Sequence, residues 1–209
     1  MAVLTMDRIK ERLRSPISKP DSLIFTPLLQ KKLAFDTDSL DMRLGTYFLL
    51  PPVPPEPFFY PGLRSKETAY LRLHVPLGSY LVVPAHQTVL GSTLEFIKLP
   101  HDVSGQILTK SSVARTFVVI ETAPWIHPSY RGCLTLEIAN VSNTPLLLYP
   151  GRLVGQLVLL DVKDAPVPSK QSGSYMGPVY PEPAEFRDPA DDLSAIGIGP
   201  TEFRKPRID

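Results

Sequence analysis

At 209 residues and 43% hydrophobic, the chain is long enough for one packed domain with extensions, and its 22 basic against 21 acidic side chains leave a net charge of +1 that excludes a surface built to wrap nucleic acid or to lie on an anionic membrane. Its longest apolar runs, such as Leu146-Leu147-Leu148-Tyr149, fall far short of the roughly 18 residues of a membrane span, and residues 1–8 reach Asp7 and Arg8 before the apolar core of a signal peptide forms. Cys133 is the one cysteine, which excludes an internal disulfide or a site of several thiolates and points to the reducing cytoplasm, with a small molecule or a protein as partner.

In chain order, residues 5–14 are the segment with helical periodicity: Thr5 can cap, Asp7 sits in the first turn, and Ile9 and Leu13 make an apolar pair four residues apart. A helix this short with two apolar anchors is not stable alone and packs against the body or another copy of the chain. Proline, at 24 residues about twice the roughly 5% of average usage, marks the loops. Pro51-Pro52-Val53-Pro54-Pro55-Glu56-Pro57 opens a loop over 51–66, and a second Pro-rich region begins near Lys163 and runs to Asp209. Between them, segments rich in Val, Ile, Leu, Thr and Tyr are cut by Pro, Gly, Ser and Asn at the spacing of an all-β sandwich or barrel. This pattern predicts strands over 40–49, 68–75, 79–84, 87–98, 104–110, 116–121, 132–140, 145–149 and 152–162. The chain thus divides into an N-terminal helix and connection over 1–38, a β domain over 39–162, and a tail over 163–209.

Within that β domain stand, in order, Ser39-Leu40-Asp41-Met42-Arg43-Leu44-Gly45, Ser92-Thr93-Leu94-Glu95, Lys110-Ser111-Ser112-Val113-Ala114-Arg115, Thr122-Ala123-Pro124-Trp125-Ile126-His127-Pro128, Gly132-Cys133-Leu134-Thr135-Leu136-Glu137-Ile138-Ala139-Asn140 and Pro150-Gly151-Arg152-Leu153-Val154-Gly155-Gln156-Leu157. As an ordered set these motifs resemble the dCTP deaminase branch of the dUTPase-like superfamily. The resemblance implies a distorted jelly-roll β-barrel with a short N-terminal helix and a Pro-rich C-terminal tail. It also implies a homotrimer whose active sites are shared between neighbouring subunits, and a tail that closes over bound nucleotide.

Hydrolytic deamination of cytosine needs water delivered to C4, a proton for the ring nitrogen and departure of ammonia, so a positioned proton shuttle is the minimum equipment. Zinc deaminases supply a metal hydroxide through His-x-Glu and Pro-Cys-x-x-Cys motifs, which a chain with Cys133 alone does not contain. The family instead uses a carboxylate on the strand after the Gly turn, a position that Glu137 matches; its neighbours Leu136 and Ile138 take the opposite face of the strand. The resemblance implies Glu137 as the shuttle, Ser111 and Arg115 orienting it across a subunit boundary, Ala123 holding the water through its carbonyl beside Thr122, and Lys110 and Ser112 on the phosphates. Lys110 stands where the family has Arg, and gives a point charge in place of a two-pronged guanidinium.

The same resemblance places Trp125 at the ligand, although a buried core indole is an equal reading. His127 occupies the place of a family Asp near the deoxyribose, where a neutral imidazole can still accept from a 3′-hydroxyl. Tyr130, in Tyr130-Arg131-Gly132, is closer to the dUTPase motif, in which the Tyr packs under deoxyribose and leaves no room for a 2′-hydroxyl. Gln156 matches a position near the nucleotide, and Ser174-Tyr175-Met176-Gly177-Pro178-Val179 resembles a shortened lid in which Tyr175 closes the site. His74, His86 and His101 show no metal-ligand spacing.

The leading expectation is therefore zinc-independent deamination of dCTP to dUTP and ammonia, with Mg²⁺ carried on the nucleotide phosphates and no metal cage in the protein. Tyr130 keeps open a dUTPase, or a bifunctional enzyme that deaminates and then releases pyrophosphate. Lys110, His127 and the short lid motif keep open a nucleotide-binding or interaction protein without turnover.

Overall fold

The computed structural model describes residues 2–19, 22–29, 38–51, 70–120, 123–162 and 177–183. Their elements are β1 (Ala2–Val3), α1 (Met6–Arg14), β2 (Ile24–Thr26), β3 (Ser39–Leu50), β4 (Leu71–His74), β5 (Leu81–Val83), β6 (Thr88–Lys98), β7 (Val103–Thr109), α2 (Ser111–Ala114), β8 (Val118–Ile120), β9 (Trp125–Ile126), β10 (Arg131–Asn140), β11 (Leu146–Leu148) and β12 (Leu153–Asp161). The Pro-rich loop 51–66, apart from Pro51, lies outside the described residues, as do Thr122 and Tyr175.

Ten strands form one antiparallel sheet in the order β8-β10-β6-β3-β12-β7-β9, with β1 beside β12, β2 beside β6 and β4 beside β3, while β11 and β5 pair separately. The sheet curls until β8 meets β7. There Ile120 donates its N–H to Thr109 Oγ1 at 3.1 Å and accepts the hydroxyl on its carbonyl at 3.3 Å, so a side chain completes the curl that the ladders begin. Alternation explains what fills the interior: Leu40, Met42 and Leu44 of β3, Leu136 and Ile138 of β10, and Leu157 and Leu159 of β12 are buried on one face. Burial of each contributes about 1.5–3 kcal/mol. The all-β fold expected from the strand pattern is the fold observed, as one curled sheet.

The helix forms where its periodicity predicts, with Ile9 fully buried and Leu13 packed against the core. Thr5 occupies the cap position but its side chain makes no cap bond. The Met6 N–H is met by the Asp38 carboxylate at 3.3 Å instead, and Arg12 pairs with Asp102.

Three ladders slip: β3 between Leu44 and Phe48 and β10 between Cys133 and Thr135, both against β6, and β12 between Leu153 and Gly155 against β3, where Arg43 pairs. A slip strands backbone donors, which must find other acceptors when buried. The segment Ser92-Thr93-Leu94-Glu95 supplies them: Thr93 Oγ1 accepts from Leu134 N–H at 2.9 Å, and Glu95 Oε2 accepts from Arg43 N–H at 2.7 Å. Glu95 is fully buried, and burial pushes its carboxyl above the ordinary range against the opposing pull of Arg43. At the end of β10, Asn140 Nδ2 donates to the carbonyls of Val83, Pro84 and Thr144, clipping the β5–β11 pair to the sheet.

Candidate active site

The segment from Lys110 to Arg115 turns off the end of β7. Lys110 donates its N–H to the Val154 carbonyl of β12 at 3.0 Å and accepts on its own carbonyl from Val113 and Ala114, closing the short helix α2. That tight turn leaves Ser111, Ser112 and Arg115 exposed. Two hydroxyls and a guanidinium on one turn make an anion-binding surface by residue type. Lys110 is held more closely: its Nζ lies 2.6 Å from Asp41 Oδ1, with about a quarter of the Lys110 side chain and a fifth of the Asp41 side chain exposed, 25% and 21%. The two meet because β12 lies between β3 and β7, and Gln156 stands in register with Asp41 on one side and Leu108 on the other.

Glu137 lies on the face of β10 opposite Leu136 and Ile138, half-buried, with its Oε2 shielded from solvent. Its neighbour Ile138 pairs with Ile120 of β8. Since Ile120 is hydrogen-bonded on its other side to Thr109, β8 lies between Glu137 and the turn that begins at Lys110. Ala123 is exposed next to β9. Trp125, in register with Gln106, is 39% exposed, so it is not a core indole.

The turn before β10 holds His127 and Tyr130. His127 is exposed and its carbonyl accepts from Tyr130 N–H at 3.2 Å. The Tyr130 ring packs against the core and its hydroxyl donates to the Cys133 carbonyl at 2.8 Å. Burial, reinforced by Cys133 and Glu182, pushes that hydroxyl's pKa well up. From Arg131, where β10 begins, to Glu137 the strand rises roughly 20 Å at about 3.3 Å per residue. The motif residues of a single chain therefore separate: Lys110, Ser111, Ser112, Arg115 and Gln156 gather near α2, Glu137 lies across β8, and His127 and Tyr130 lie at the far end of β10.

The profile of the dCTP deaminase-like family matches residues 3–162 of this chain. The chain belongs to that family. A protein of Rhodococcus erythropolis named "dCTP deaminase, dUMP-forming" is 39% identical over 130 residues, covering 60% of this chain and 68% of that protein. A protein of the same name from Methanobrevibacter smithii is 30% identical over 193 residues, covering 90% and 96%. Among solved structures, the 2′-deoxycytidine 5′-triphosphate deaminase of Agrobacterium tumefaciens shares the fold at TM-score 0.51 and 22% identity over 75% of this chain; the match spans 47% of that chain.

In this dCTP deaminase-like chain, the part of the tail that the structure describes runs along β10. Gly177 donates its N–H to the Arg131 carbonyl at 2.8 Å, and Pro178 accepts from Cys133 N–H at 2.7 Å. Glu182 donates its N–H to Thr135 Oγ1 at 3.1 Å, two residues before Glu137. Tyr180 packs edge-on against Tyr47, their ring centres 4.5 Å apart, and Tyr47 meets His74 in turn. Gly132 permits this contact, since it has φ +142° and a Cβ there would lie 2.5 Å from Pro178 Cδ.

Asp41 is the site residue that motif reading left without a role. Its one sequence signal is its place between Leu40 and Met42, on the outward face of a strand whose inward face is apolar. Among the described residues, no helix is long and apolar enough to cross a membrane, and no three His, Cys, Asp or Glu side chains group together. His86 meets Asn143 Oδ1 at 3.0 Å.

Proposed function

We propose that this chain hydrolyses dCTP to dUMP, ammonia and pyrophosphate, as a homotrimer in the cytoplasm. The observation that carries the reading is Glu137: a half-buried carboxylate on the outward face of β10, separated by one short strand from a turn that bears two hydroxyls and two cations. The relatives' name, "dCTP deaminase, dUMP-forming", supports dUMP, the alternative of the sequence reading, over dUTP, its leading expectation.

In the proposed mechanism the Ala123 carbonyl holds a water at C4 of the cytosine. Glu137 takes one proton from the water as the oxygen adds and passes it to N3, then takes the proton of the new C4 hydroxyl and passes it to the amino group, which leaves as ammonia as the C4 carbonyl forms. A second water then cleaves the bond between the α- and β-phosphates, so that two waters are consumed for each dCTP. Ser111 and Arg115 orient Glu137 from the neighbouring subunit, Lys110 and Ser112 hold phosphates, and Trp125, His127 and Gln156 line the nucleoside. Mg²⁺ arrives on the phosphates as part of the substrate. The single cysteine supports a route without a zinc site of the thiolate type. Assembly from several copies is supported by the roughly 20 Å of strand between the His127 turn and Glu137, more than one chain bridges with a single pyrimidine nucleoside.

The test is chromatographic product analysis of the full chain with dCTP and Mg²⁺, beside dUTP and CTP. The expected result is dUMP, ammonia and pyrophosphate in equal amounts from dCTP, lost by at least 100-fold in Glu137→Gln. Accumulation of dUTP without pyrophosphate restores the simple deaminase. No product from any nucleotide sinks the enzyme reading.

A further inference from the structure

We infer that Asp41 is a positioning residue that presets Lys110 for a substrate polyphosphate. The inference rests on reading the Lys110–Arg115 turn as the phosphate site, and it adds to that site a residue from a different strand.

A lysine ammonium is a point charge on a flexible four-carbon stem, whereas a guanidinium is a rigid planar fork that is organised before its partner arrives. A phosphate site that uses lysine must order the stem on binding, at an entropic cost that weakens association. Here the stem is ordered in advance. Asp41 Oδ1 lies 2.6 Å from Lys110 Nζ, and Asp41 is itself fixed in β3 by pairing with Gln156 of β12. An ammonium has three donors; the carboxylate takes one and leaves two for phosphate oxygens. The backbone of Lys110 is fixed as well, through Val154 at its N–H and α2 at its carbonyl, so both ends of the side chain are located before a ligand enters. Ser111, Ser112 and Arg115, by contrast, are exposed, and among the described residues Lys110 is the member of the turn with a charge partner on the barrel. Partial burial shields this pair from the screening that makes exposed pairs weak.

A double-mutant cycle tests this, using the full-length chain and its Asp41→Asn, Lys110→Met and doubly substituted forms. Each protein is assayed for KM and kcat with dCTP and Mg²⁺, and separately for calorimetric binding of inorganic tripolyphosphate. Asp41→Asn is expected to raise both KM and the tripolyphosphate Kd about fivefold or more, with kcat moving less than KM, and to change either by less than about twofold once Lys110 is already Lys110→Met. Asp41→Glu, which can re-form the pair, is expected to recover most of the loss and guards against a folding defect in Asp41→Asn. Equal effects in both backgrounds, no effect, or tighter phosphate binding in Asp41→Asn overturns the inference, as does a wild-type chain that binds no tripolyphosphate. The two readings fail separately. Coupled tripolyphosphate binding without dCTP turnover keeps Asp41 and sinks the deaminase, whereas turnover without coupling does the reverse.

Discussion

Glu95 sits on β6 with no exposed surface, accepting from the Arg43 backbone at 2.7 Å and facing its guanidinium at 3.4 Å. Burial raises its carboxyl above the ordinary 4.5, and the Arg43 contacts only partly oppose that rise. The folded chain therefore holds this proton more tightly than the unfolded chain. Its contribution to stability is full below 4.5 and is lost as pH rises through the folded value. Glu95→Gln keeps an acceptor for the Arg43 N–H and removes the titration. Urea unfolding measured from acid pH towards neutrality should show the wild type losing stability relative to Glu95→Gln, and parallel curves would refute the assignment. Glu95→Ala should cost roughly 3 kcal/mol, since it strands the Arg43 donors. None of this was legible in Ser92-Thr93-Leu94-Glu95 taken alone, because the stranded donors belong to Arg43 and Leu134, on strands that are neighbours only in the fold. Tyr130 depends on the fold in the same way: its motif implies a ring packed under deoxyribose, and the bond from its hydroxyl to the Cys133 carbonyl, which fixes that ring, shows only in the folded chain.

At the scale of elements, the long strands were legible because each presents one apolar and one polar face. The motifs set Glu137 on its outward face for the same reason. β1, β2, β9 and α2, of two to four residues each, lie outside the predicted strands because none carries enough alternation to show, whereas β4, β5, β8 and β11, equally short, lie inside longer apolar segments that were predicted. The predicted strand over 116–121 begins only at Val118, because Phe117 takes a positive φ of 62° as the chain leaves α2. The docking of Gly177–Pro178 on β10 also escaped the sequence, where those residues read as part of a lid. It depends on Gly132, whose missing side chain and φ of +142° admit Pro178. Gly132→Ala should detach this strap and cost about 1–3 kcal/mol of stability. Hydrogen exchange should then accelerate at the amides of Cys133 and Gly177, which carry the two strap bonds. Unchanged protection at both would mean that the strap is held elsewhere, with Tyr180 on Tyr47 the next candidate.

The whole molecule raises the question of which copy supplies which part of a site. Ser111, Ser112 and Arg115 are exposed in the single chain, while the Glu137 strand carries the His127 turn at its opposite end, roughly 20 Å away. No single sequence encodes such an arrangement legibly, since motif order records the path of one chain and not contacts between copies. In the proposed trimer Arg115 orients Glu137 of a neighbour, so the two substitutions Glu137→Gln and Arg115→Ala should each abolish turnover yet complement one another. When the two inactive proteins are unfolded, mixed in equal amounts and reassembled, a site is whole only where one subunit brings Glu137 and its neighbour brings Arg115. Random assembly in a cyclic trimer makes that about one site in four. Recovery of about a quarter of wild-type dCTP turnover is therefore expected, rising from zero as the chains exchange. If turnover stays at zero while mass spectrometry shows mixed trimers, Arg115 and Glu137 act within one chain. The role of Arg115 would then have to be met by the path from α2 across β8, inside a single barrel.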